Sequence, residues 1–223
     1  MSEGPSRVEQ WFAREQHPAA LPELRRLADT LRRVSDRLHE ADPGPGELAD
    51  LQALAARLEA AAEGVRRVDR SDAPFEELPP DALGFLDRSP MSGAVNPSAP
   101  PMELSSAEGV VRGVVTFGPS FEGPPGHVHG GWVASGFDEV MGMAQALGSD
   151  PGMTAKLEIF YRKPTPLGVE LTFEGWIDVV RGRKIRCKGE LRGPDDVLLA
   201  NAEGLFVSVD FEAMRALMEA ASD

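Results

Sequence analysis

The stretch GHVHGGWVASGFDEVMGMAQALG, residues 126–148, decides how the rest of the chain must fold. It places two histidines and a glycine pair before what reads as one apolar helix, and it sets Asp138 and Glu139 in the middle of that helix. A carboxylate flanked by Phe137, Val140 and Met141 has its charged form disfavoured by desolvation, which suits a general base. The helix start offers a second piece of chemistry. Its first N–H groups lack intrahelical partners, its dipole end is positive, and Gly130 and Gly131 let a carbonyl oxygen come close. In outline this is an oxyanion hole. Glu139 sits about 100° from Asp138 around the helix, so only one of the two points into a given cleft. Asp138 is the expected one, with Glu139 a partner or a structural ion-pair member.

Outward from this helix the texture is that of strands. VVRGVVTF precedes it, and MTAKLEIFYRKP, GVELTFEGWIDVVR, RKIRCKGELRG and VLLANAEGLFVSV follow, separated by turn signals. Val169, Leu171 and Phe173 alternate with Glu170, Thr172 and Glu174, and Ile185, Cys187 and Leu191 alternate with Arg186, Lys188 and Arg192. Each strand therefore has one buried and one wet face. The only long apolar helix available to cover the buried face is 130–147, so the sheet is expected to wrap it in an α+β arrangement. This domain is expected over 109–223, closing with a short helix in FEAMRALMEA.

The N-terminal part reads differently. Leu21, Leu24, Leu31, Val34 and Leu38 recur at three- and four-residue steps, as do Leu48, Leu51, Ala55, Leu58, Ala62 and Val65, and DPGPG at 42–46 breaks the two runs apart. Residues 1–68 are thus expected to hold an antiparallel helical hairpin with Arg and Glu on its solvated faces. Two isolated helices bury too little to be stable, so the hairpin should pack on the second domain or on its copy in an oligomer. His17 and His39 lie here as exposed or capping residues. Residues 69–108 form a Pro-rich linker without regular structure.

A formal net charge of −13 argues against a nucleic-acid backbone or an anionic membrane as the partner, so an anionic ligand must be held by local basic groups. The single cysteine, Cys187, excludes an internal disulfide and fits a reducing cytoplasm. No apolar run reaches the roughly 18 residues of a membrane span, and MSEGPSRVEQ has no apolar signal core. A cytoplasmic protein is expected.

Strand, HGG, a helix with an acid nine residues after the histidine, Thr154 sixteen residues further on, and YRKPTPL at 161–167 together resemble the hotdog-fold acyl-CoA thioesterases of the PaaI/THEM type. The resemblance covers about residues 109–209. It implies a hotdog fold, acyl-CoA as substrate, and no metal or redox cofactor. It also implies a catalytic set of His129, Gly130, Gly131, Asp138 and Thr154. Of these the glycine amides polarise the thioester carbonyl, Asp138 acts as nucleophile or as general base for water, and Thr154 helps to orient water. Geometry adds a constraint. Gly131 and Asp138 are seven residues apart, about 10 Å along one helix axis, too far to flank one carbonyl carbon. If two copies set their helices antiparallel, Asp138 of one faces the HGG turn of the other, giving two equivalent sites in a homodimer or dimer of dimers.

Other readings of the same residues stay in view. HGG can be a tight turn and helix cap, with His129 satisfying a backbone group. The H-x-H of His127 and His129 invites a metal, but the other histidines lie in the N-terminal helices and Cys187 is remote, so no metal is expected. Ser135 in VASGF lacks the first glycine of a nucleophile elbow. Arg162 and Lys163, with Arg181, Arg183 and Lys184 of the RGRK turn, are candidates for coenzyme A phosphates or simply protect strand edges. Trp132 is large where a small residue would leave room, and is expected to shape the acyl tunnel. Two rival functions are a non-catalytic acyl-CoA-binding or regulatory protein, and a thioesterase acting on an acidic acyl-carrier protein.

Overall fold

The alternating segments form one antiparallel sheet. The computed structural model describes residues 21–65, 86–148 and 152–209, together with Val8 and Phe12. The strands are β1 (Glu103–Ala107), β2 (Val110–Thr116), β3 (Gly152–Tyr161), β4 (Glu170–Arg181), β5 (Lys184–Arg192) and β6 (Leu198–Ser208), in spatial order β1-β2-β4-β5-β6-β3. Val111, Val115, Leu171, Phe173, Ile185, Cys187, Leu191, Ala202 and Phe206 are buried in one core with the helix of the opening stretch. That helix runs Gly130–Gly148. It is called α3 below.

The seating of α3 depends on small residues. A Cβ on Gly175 would stand 2.9 Å from the Val140 carbonyl oxygen, and one on Gly136 would stand 2.5 Å from the Phe173 ring, so glycine at both positions lets helix and sheet touch. Phe137 then meets Phe173 edge-on at 5.3 Å between centroids. Phe137, Val140 and Met141 are wholly buried. Each contributes roughly 1.5–3 kcal/mol relative to exposure.

Both N-terminal helices form, as α1 (Leu21–His39) and α2 (Pro45–Glu63), broken where DPGPG predicts. Pro45 opens α2, and the Glu47 carboxylate accepts the Gly44 N–H at 2.9 Å. α1 is docked rather than free. It buries Leu21, Ala28 and Arg32, so the expectation that its arginines are all solvated fails at Arg32. The Arg32 guanidinium donates to the carbonyls of Ala99 and Asn96, both at 2.8 Å, and pairs with Asp29. Burial lowers its pKa, and Asp29 partly offsets this. Further along α1, Asp36 accepts the backbone N–H and the hydroxyl of Ser120, which fixes the short 3-10 turn Pro119–Phe121 ahead of the HGG loop. α2 buries no residue, and Leu48, Leu51, Leu54 and Leu58 are exposed.

Of the segment expected to be a linker, the described residues 86–108 join the sheet and its core. Met91, Ala99 and Met102 are buried, and Glu103–Ala107 is the first strand. ELSSA lacks the apolar alternation that marks a strand by itself; pairing with β2 makes it one. The two-residue turn Glu108–Gly109 has φ of 52° and 79°, the left-handed pair that a tight hairpin requires. FEAMRALMEA, His17 and residues 69–85 lie outside the described residues. Among the described residues no helix is long and apolar enough to cross a membrane.

Candidate active site

The HGG turn is braced by YRKPTPL. Val128 N–H donates to the Thr165 carbonyl at 2.8 Å, Leu167 N–H to the Gly126 carbonyl at 3.1 Å, and the Tyr161 hydroxyl to the Gly130 carbonyl at 2.8 Å. His129 then caps α3. Its carbonyl accepts the N–H groups of Trp132 (2.9 Å) and Val133 (3.4 Å), and its Nδ1 accepts the Gly131 N–H at 3.0 Å. Of the four N–H groups that a helix start leaves over, the Gly130 N–H alone has no acceptor among the described residues. Within this chain the Gly131 N–H is thus held by His129, and the Gly130 N–H is open. Gly130 has no positive φ, and a Cβ there would meet only ordinary contact, 3.4 Å from the Tyr161 hydroxyl. The chain itself does not need glycine at this position.

Asp138 is exposed, while Phe137, Val140 and Met141 beside it are buried. The burial expected for this carboxylate is thus not supplied by its own chain: the apolar neighbours point into the sheet and Asp138 points away. Its Oδ1 accepts the Thr154 hydroxyl at 2.8 Å. That contact depends on a bulge. Leu157 and Ile159 pack against the core, so strict alternation would put Ala155 on their face and Thr154 on the other; the register shift between Thr154 and Lys156 turns Thr154 toward the helix instead. Glu139, on the next face, accepts the hydroxyls of Ser89 (2.7 Å) and Ser92 and ties the 86–102 segment to α3. Among the described residues it is a structural partner bound by hydroxyls, with no ion pair.

The remaining candidates separate. Trp132 packs edge-on against Phe121 at 4.9 Å, as part of the wall behind the turn. Arg162 lies over the Phe160 ring and donates to the Asn201 side chain at 2.8 Å, and the Lys163 backbone N–H meets the Leu199 carbonyl. Arg183 donates to the Ser208 carbonyl, at the end of the sheet where Ser208 pairs with Gly152. From Gly152 to Tyr161 the strand covers about 30 Å, so one chain does not bring Arg183 to Arg162 and Lys163. The His127 ring donates to the Pro125 carbonyl at 2.9 Å. No group of three or more metal-ligating side chains occurs among the described residues.

Burial pushes the Cys187 thiol up to about 12, with Asp178 adding to the effect, so this thiol is no nucleophile. Burial also raises the Tyr161 phenol, which keeps it a donor. A cavity of about 540 Å³ lies toward the far end of α3 from the HGG turn, between the Glu108–Gly109 turn, Leu147 and Trp176. Leu147 is about 25 Å along α3 from Gly130. Tyr161, which no spacing along the chain singles out, also meets the HGG turn. Its position, last in β3 and opposite the HGG turn, is a tertiary fact.

An antiparallel sheet packed on one long helix, with that helix opening on a glycine pair, is the hotdog fold. Residues 125–200 match the thioesterase superfamily. A crystal structure described as a thioesterase superfamily protein is 36% identical, with 86% of this chain and 97% of that chain covered and a TM-score of 0.74. The acyl-coenzyme A thioesterase THEM4 of Xenopus laevis is 34% identical over 93 residues, covering 41% of this chain and 42% of the relative. The Bos taurus THEM4 is 36% identical over 99 residues, 43% of this chain and 39% of the relative. The matched region thus spans about two fifths of those curated relatives' length. The chain belongs to the thioesterase superfamily.

Proposed function

We propose that the protein hydrolyses acyl-CoA thioesters to the free acid and coenzyme A, with Asp138 as base or nucleophile and the Gly130 N–H as carbonyl donor. The observation that carries this is the pairing of one open helix-start N–H with one outward-facing carboxylate held by Thr154. The thioester carbonyl accepts the Gly130 N–H, which stabilises the oxyanion as the carbon becomes tetrahedral. Either Asp138 takes a proton from water as it attacks, or Asp138 attacks first and water resolves the anhydride; in both cases the thiolate of coenzyme A leaves. The relatives named acyl-coenzyme A thioesterases support this substrate class.

The site is shared between two copies. Gly130 and Asp138 are eight residues apart on α3, about 12 Å along the axis, while reacting groups need about 3–3.5 Å. Gly131, Ser135 and Asp138 form an exposed stripe on an otherwise buried helix, with the half-buried Gly142 continuing it, and the small side chains admit a close partner. β3 is an edge strand exposed along most of its length, including Met153, Phe160 and Tyr161. Antiparallel pairing of β3 with its copy would cover that edge. It would also bring Arg183 of one chain toward Arg162 and Lys163 of the other, a basic cluster for coenzyme A phosphates that one chain does not build.

The test is free-thiol release across a panel of acyl-CoA thioesters, with Asp138→Asn alongside. Turnover by the wild type and a loss of roughly 10² or more in the near-isosteric variant is the expected result. Unchanged turnover in Asp138→Asn removes the assignment, and Glu139→Gln should cost far less.

A further inference from the structure

We propose that Tyr161 is a positioning residue that sets the Gly130–Gly131 turn for carbonyl binding, an assignment that rests on the thioester-hydrolase reading. Two side chains grip the same peptide group. The Tyr161 hydroxyl donates to the Gly130 carbonyl at 2.8 Å, and the N–H at the other end of that planar unit, belonging to Gly131, donates to His129 Nδ1 at 3.0 Å. The grip is specific for orientation. Turning the peptide over would break both hydrogen bonds, and restoring them would need the other His129 tautomer and a rotated Tyr161 hydroxyl.

Such a grip matters here because of the sequence it acts on. Gly130 and Gly131 carry no side chain to restrict their backbone, and the first turn of a helix is where fraying concentrates. An N–H that must meet a developing oxyanion gains from a fixed direction before substrate arrives. The adjoining peptide, which carries the open Gly130 N–H, is anchored through its own carbonyl to Trp132. Fixing the next peptide at Tyr161 and His129 leaves the Gly130 backbone held on both sides.

The same strand reaches both halves of the chemistry. β3 presents Thr154 to Asp138 near its start and Tyr161 to Gly130 at its end, on one face made continuous by the bulge at Ala155. Carboxylate and oxyanion turn are thus both referenced to β3, the strand that the proposed dimer pairs. Partial burial raises the phenol's pKa, which favours the protonated donor form.

Tyr161→Phe keeps the ring and removes only the hydroxyl. The expected result is a fall in kcat of about ten-fold with KM unchanged, on the scale of one lost hydrogen bond, together with faster hydrogen exchange at the Gly131 amide and an unmoved thermal melt. Unchanged kcat overturns the assignment, as does a loss confined to KM, which would make Tyr161 a substrate contact. A kcat loss that merely follows a lowered melt overturns it too. If the wild type releases no thiol from any acyl-CoA, the proposed activity fails by itself, and the exchange rate at Gly131 still decides the grip: an unchanged rate in Tyr161→Phe refutes it.

Discussion

Refolding two inactive variants together tests the shared site directly. Asp138→Asn removes the carboxylate, and Gly130→Val crowds the one open N–H. A Cβ at Gly130 would meet the Tyr161 hydroxyl at 3.4 Å and its ring at 3.6 Å, both ordinary contacts, so the variant is expected to fold. The magnitude follows from geometry. Eight residues of α3 place the two groups about 12 Å apart along the axis, so one chain cannot present both to one carbonyl. In a mixed isologous dimer one site inherits both lesions, while the other joins an intact Gly130 from the first chain to an intact Asp138 from the second. Random pairing makes about half the dimers mixed, each with one working site of two, so roughly a quarter of wild-type activity should return. The assay is free-thiol release after the parents are unfolded, mixed equally and refolded, with a mass tag on one parent to count mixed dimers. Cys187, buried and held up to about 12, does not interfere with the thiol reagent. If mixed dimers form and activity stays at the level of the parents, the shared site is wrong.

Thr154→Val should lower kcat by about ten-fold, well short of the loss in Asp138→Asn, because it removes one hydroxyl from the carboxylate and leaves its charge; equal losses in steady-state assays would make Thr154 a partner in chemistry and not a holder. Arg32→Met strands the Ala99 and Asn96 carbonyls. A cost of about 3 kcal/mol is expected, read as a drop of roughly 6–12 °C in Tm if α1 unfolds with the domain, and an unshifted melt would show that α1 is held elsewhere. Because burial raises the thiol so far, Cys187 should resist iodoacetamide at pH 8 in the native protein and react fully once unfolded, by intact mass; rapid native labelling would refute its burial.

What local periodicity encodes can be read from neighbouring residues alone. The apolar helix begins at Gly130, four strands follow, the two whose alternation was read in detail turn those faces inward, and DPGPG separates α1 from α2, because 3.6- and 2-residue repeats and Pro/Gly breaks are properties of neighbouring residues. Asp138 stands out for the same reason, as a charge in an apolar run, and the structure sets it exposed beside Thr154. ELSSA was not, since an edge strand of small polar residues is made by its partner β2 and not by its own pattern. Arg32 read as solvated because nothing near it in the chain reveals that the carbonyls of Ala99 and Asn96 wait more than sixty residues away. The site itself turned on tertiary structure. Pairing with β6 places a bulge at Ala155 that swings Thr154 to Asp138, and the return of β3 to the start of α3 brings Tyr161 to Gly130. These contacts join residues sixteen and thirty-one positions apart, where spacing along the chain no longer fixes distance in space.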